Sequence, residues 1–172
     1  MQTSPPLDRG LVLGAIVAGG LVAGVLDALD AIVAFKWVLG FDPVPIYQFV
    51  ASGALGPAAF TGGLPAAALG LAIHFAIAGS AAAVFTLASV RWRALVARPA
   101  VTGAAFGVLV YLVMNHVVIP LSKIPASPFS LPLALNGVIG HALLVGLPIA
   151  YAARRALGHA PVARSLGAPV AA

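Results

Sequence analysis

Residues 11–35 read LVLGAIVAGGLVAGVLDALDAIVAF, an apolar run broken by only two charged side chains, Asp27 and Asp30. About 20 apolar residues in helix cross the ~30 Å hydrocarbon core of a bilayer, so the run predicts a membrane span. A carboxylate inside such a helix is costly and has to face a partner or a water-filled interior. What compensates Asp27 and Asp30 is therefore the question that leads from fold to function.

Three further stretches have the same length and character: residues 66–90, 100–119 and 133–153. Prolines punctuate their edges, with Pro65, Pro99 and Pro132 ahead of a span and Pro120 behind one. Proline fits the first turn of a helix and disrupts its interior, so Pro148, inside the fourth run, predicts a kink. The whole chain agrees with this pattern. Its 172 residues are 62% hydrophobic and 8% charged, with a mean hydropathy of +1.09. Soluble domains carry about 25% charged residues, so too little polar material is present to cover a water-facing surface. The expected fold is an all-α, polytopic four-helix bundle forming one transmembrane domain over residues 1–158. Residues 159–172, small and proline-containing, read as a disordered cytoplasmic tail. The first run exceeds the 7–15 apolar residues of a signal sequence and reads as a retained helix.

Charge placement gives orientation and removes some functions. All four acidic residues are aspartates, against nine Lys and Arg, for a net charge of +5. The basic residues sit at the ends of apolar runs rather than in a patch with interleaved aromatics, which argues against nucleic acid and for membrane anchoring. Arg9, Arg91, Arg93, Arg98, Arg154, Arg155 and Arg164 fall on one side of a four-span arrangement, and Lys36 and Lys123 on the other. The excess of positive charge on cytoplasmic loops then predicts both termini in the cytoplasm of a bacterial inner membrane. Cysteine is absent, which excludes disulfides, thiol chemistry and thiolate metal sites.

The two connections on the opposite side are unusual. GFDPVPIYQFVASGALGPAAFTGGLP (40–65) is long and still apolar, and residues 46–55 suit a helix too short to cross. It reads as an interfacial or re-entrant segment, with its glycines allowing tight bends. PLSKIPASPFSLP (120–132) holds four prolines and reads as a stiff cap. Shielding of the bundle's mouth is the favoured role for both, ahead of gating.

Gly20 and Gly24, preceded by Gly10, Gly14 and Ala18, give the first span a small-residue spacing that lets helices approach closely. Asp27 shares the Gly20–Gly24 face, so it is expected to point at a neighbouring helix, with Asp30 a turn further on. At 1.5 Å per residue, His74 of span 2, Asn115 and His116 of span 3, and Asn136 and His141 of span 4 come to a similar depth in the outer half. Each has a plain structural use as a helix-to-helix hydrogen-bonding group. Three histidines and two aspartates at one level favour a shared site.

Imidazole beside carboxylate suits proton relay. His74, His116 and His141 with a carboxylate would also suit a divalent metal, and two facing histidines could ligate haem, which ranks lower. No HExxH, CxxCH or phosphate-loop lysine motif occurs, so an enzyme is not expected.

The segments IHFAIAGSAAAVFT (73–86), NHVVIPLSKIPASPFSLP (115–132) and IGHALLVGLPIAYAARR (139–155) resemble the YagU-like bacterial inner-membrane proteins, over roughly residues 10–155. The match rests on a histidine in each of spans 2, 3 and 4, the Pro-Leu turn, the Gly-His pair and the closing Arg-Arg. It implies His74, His116, His141, Gly140 and Pro120 as matched positions and a contribution to acid tolerance as the role. The aspartate pair has no counterpart in that resemblance. Sequence thus leads to a non-enzymatic membrane protein whose His/Asp layer binds or conducts protons or a metal cation. The lipid bilayer is its partner, and its small-residue faces permit a homo-oligomer. A haem- or quinone-binding electron-transfer module and a purely structural subunit are the alternatives.

Overall fold

The computed structural model describes residues 8–158, and these are helical with no strand among them. Four helices are long and apolar enough to cross a membrane: α1 (Arg9–Leu39), α3 (Gly63–Arg91), α4 (Pro99–Leu121) and α5 (Leu131–Leu157). A shorter helix, α2 (Pro43–Leu55), lies between the first two, followed by a 3-10 stretch over Gly56–Thr61. The expected tail, with His159 in it, lies outside the described residues.

Helix ends follow local chemistry. Asp8 caps α1, its carboxylate accepting from Gly10 N–H at 2.8 Å and Leu11 N–H at 3.4 Å. At the far end Gly40 turns left-handed (φ 73°), its N–H reaching the Lys36 carbonyl while Phe41 N–H reaches that of Phe35. This paired closure satisfies the last carbonyls and carries α1 four residues past the expected end. Asp42 then pairs with Lys36 at 2.7 Å on the surface.

Pro120 departs from expectation: α4 runs through it to Leu121 instead of stopping before it. The preceding turn, Met114–Val118, is wound as a π-helix, with Ile119 N–H bonded to the Met114 carbonyl. α5 does the same at His141–Gly146, immediately before Leu147 and Pro148. A proline inside a helix removes one N–H and crowds the carbonyl four residues back. The wider π-turn accommodates this without ending the helix.

Glycine contacts set the packing. A Cβ on Gly20 would sit 2.9 Å from the Gly79 backbone, and one on Gly24 would sit 2.7 Å from the Phe75 ring, so both fix α1 against α3. Gly103 and Gly107 of α4 lie on the α5 backbone at Gly146 and His141. The main apolar core, including Phe85, Ile149, Ala153 and Leu157, lies toward the arginine-bearing end. Arg93 donates to the Leu157 carbonyl and Arg154 to that of Ala97, tying that end together. A smaller cluster of Ala28, Tyr47 and Ala67 lies toward the other end. The polar layer is built between them.

Candidate functional site

Asp27 is the centre of the layer. Its two oxygens face two rings: Oδ1 is 3.7 Å from His141 Nδ1, and Oδ2 is 3.9 Å from His74 Nδ1. The side chains are 19% exposed for Asp27, 15% for His74 and 21% for His141, so three helices turn these groups inward. α1 supplies the carboxylate because Gly20 and Gly24, on the same stripe, bring that face onto α3.

Backbone carbonyls decide the tautomers. His74 Nε2 lies 2.9 Å from the Gly24 carbonyl, and His141 Nδ1 lies 2.9 Å from that of Gly137. A carbonyl oxygen only accepts, so each of those nitrogens carries the hydrogen. Neutral His74 therefore turns the lone pair of Nδ1 toward the Asp27 carboxylate. Two acceptors face one another, and one added proton converts the mismatch into an attractive pair.

Aromatic groups close the layer. Tyr111 sets its ring edge-on to His141, with centroids 5.5 Å apart, and packs against Gly137. Tyr47 of α2 stands edge-on to His74 at 6.4 Å and donates its hydroxyl to the Ala28 carbonyl at 3.3 Å. Burial, and secondarily the Asp27 carboxylate, push the Tyr47 phenol above its usual range, which keeps it a donor. A Cβ on Gly70 would overlap the Tyr47 carbonyl oxygen, so this glycine is what admits the α2 backbone.

Asp30 forms a second pairing one turn along. Asn136 of α5 donates to its Oδ2 at 2.7 Å, and a Cβ on Gly140 would sit 2.7 Å from the same oxygen. Asn115 is partly buried but donates to Tyr111 O on its own helix, so it does not join the layer.

His116 is the correction to the expected three-histidine layer. It is exposed on the π-turn of α4, a stretch with no buried residue, while the buried positions of that helix are Pro99, Gly103 and Gly107. It is exposed, where His74 and His141 are partly buried. Among the described residues no group of three His, Cys, Asp or Glu side chains is placed to hold a metal, so the site His74, His116, His141 is not assembled.

Tyr47, Tyr111, Gly70, Gly107 and Gly137 were not singled out from sequence. The tyrosines carried no charge to mark them, and the glycines stood among many others. Four apolar helices around an interhelical carboxylate and imidazole layer define a polytopic helical membrane bundle. No family model, curated protein or solved structure matches the chain.

Proposed function

We propose that this is a bacterial inner-membrane protein, with both termini cytoplasmic, whose Asp27–His74–His141 layer binds and passes protons. The observation that carries the reading is Asp27 set between two imidazoles whose donor nitrogens are already committed to backbone carbonyls. With both rings neutral and Asp27 ionised, the trio bears one negative charge, and a single added proton cancels it. An uncancelled charge among spans is costly, so the gain and loss of that proton is the chemistry the site can perform. A resident metal is disfavoured because His116 is exposed on α4 and, among the described residues, no group of three His, Cys, Asp or Glu side chains is placed to hold one.

Seven of the nine cationic residues lie on one side of the four-span order, which supports the orientation and puts the layer in the outer half. The Tyr47 backbone meets Gly70, seven residues into α3 and hence about 10 Å from its start, which supports α2 as re-entrant. In this reading it covers the layer from outside, with the Tyr47 hydroxyl on the Ala28 carbonyl beside Asp27. Acid tolerance, the role implied by the YagU-like resemblance, fits a proton-handling layer on that side.

The test is reconstitution into liposomes containing a pH dye, with a potassium diffusion potential to drive protons inward. The wild type should acidify the lumen faster than protein-free vesicles, and Asp27→Asn should reduce the rate to the protein-free level. A wild-type rate equal to that of empty vesicles would overturn the proposal.

A further inference from the structure

A groove of about 450 Å³ opens between the arginine-end halves of α1 and α5, away from the polar layer. Its α1 wall includes Gly10, Gly14 and Ala18, all exposed, together with Leu11, Ala15 and Val22. Its α5 wall includes Pro148, Tyr151 and Arg155. Sequence placed the three small residues in a helix-packing series, but the structure leaves them on the outside. A Cβ on Gly14 would meet nothing within 4 Å. The floor is therefore apolar, with a stripe of small residues over about two helical turns, and a guanidinium and a phenol stand on the other wall.

We infer that this groove holds an anionic phospholipid, one acyl chain along Gly10–Gly14–Ala18 and the phosphate at Arg155. Charge complementarity selects this occupant. Arg154 and Arg155 end α5 at this level and Arg9 begins α1, against one carboxylate among the described residues at this end, Asp8, which accepts from Gly10 and Leu11 N–H. The end of the groove is thus net positive where a lipid phosphate lies. Arginine suits it because its fork of N–H donors can hold a phosphate while keeping another partner. A tyrosine at the same level matches the amphipathic residues favoured at the membrane interface. A zwitterionic lipid would fill the same apolar floor but carry no net charge to match the arginines. Basic recesses between membrane helices at the cytoplasmic side are a recurring solution for anionic headgroups.

The test uses the full chain in mild detergent, titrated with phosphatidylglycerol or phosphatidylcholine of the same acyl chains and read by native mass spectrometry. Wild-type protein should retain phosphatidylglycerol in preference. Arg155→Gln should reduce its retention about five-fold, toward the phosphatidylcholine level, because one arginine near an anionic headgroup accounts for about that factor. Gly14→Leu should reduce both lipids by filling the floor. It should fold normally, since its side chain enters open space and leucine favours helix over glycine. Equal retention of the two lipids by the wild type would overturn the proposal, as would unchanged phosphatidylglycerol retention in both variants. So would a wild-type dimer that Gly14→Leu splits without altering lipid retention, because the groove would then be an interface between copies.

Discussion

Gly103→Ala and Gly107→Ala add the same methyl group one turn apart on α4, yet only the second presses on a residue of the polar layer. At Gly107 the new Cβ would lie 2.6 Å from the His141 carbonyl carbon and 2.8 Å from Ala142 Cα. Carbon atoms in contact prefer about 3.5–4.0 Å, so α4 and α5 must part by about 1 Å there. At Gly103 the corresponding neighbours are Ala150 Cβ and the Gly146 oxygen, both at 2.8 Å. Overpacking of this kind costs about 1–3 kcal/mol. For a chain of this size that lowers Tm by between about 2 and 12 °C, with Gly107→Ala toward the upper end because its methyl group overlaps the His141 carbonyl oxygen. The layer should separate them. His141 Nδ1 is 3.7 Å from Asp27. A shift of about 1 Å in that separation changes the attraction between a protonated ring and the carboxylate by about 1 kcal/mol at an effective dielectric near 20, about a five-fold change in the proton-loaded population. Proton flux in liposomes should change about five-fold in Gly107→Ala and stay within about two-fold in Gly103→Ala. Thermal unfolding of both variants in detergent supplies the stability control. If the two show equal flux, the placement of His141 beside Asp27 has no bearing on proton passage, and the reasoning fails.

Other outcomes follow from the same geometry. His116→Ala should leave flux within about two-fold of wild type, since the ring is exposed on α4; a loss as large as that of Asp27→Asn would return His116 to the site. Asn136→Leu should cost about 1.5–3 kcal/mol in thermal unfolding by stripping Asp30 of a charge-assisted donor, and Asp30→Leu in the same chain should recover part of that loss. The absence of native cysteine makes single-cysteine labelling clean. In cells with a permeabilised outer membrane, an impermeant maleimide should label Ser127→Cys directly and Ala94→Cys only after lysis; the reverse pattern would invert the orientation.

The spans were legible because bilayer thickness leaves a long apolar signature, and proline marks most of their ends. The inward direction of Asp27 was legible too, since Gly20 and Gly24 share its helical stripe and small residues mark close approach. Continuation of α4 through Pro120 was not. A π-turn is a response to a proline already held in a packed helix, and no residue type announces it. Tyr47 escaped notice because its helix is too short to read as a span. The contact that seats it, Gly70 under the Tyr47 carbonyl, is a pairing between segments rather than a local pattern.

His116 shows what depth alone omits. Rise per residue gives one cylindrical coordinate, and three histidines at one height look like a ring until their azimuths are compared. From Gly107 to His116 is nine residues (116 − 107 = 9), and nine steps of about 100° leave the two on roughly opposite faces of an ideal helix. Gly107 touches α5, so the same arithmetic sends His116 away from it. By that measure Asn115, eight residues on, is turned about 80° from the packing face, in keeping with its partial burial and its bond to its own helix. Gly103 and Gly107, read as the contact stripe of α4, therefore contained the direction that depth could not supply. The layer that remains pairs a carboxylate with two imidazoles, and no three of the described side chains are placed to hold a metal.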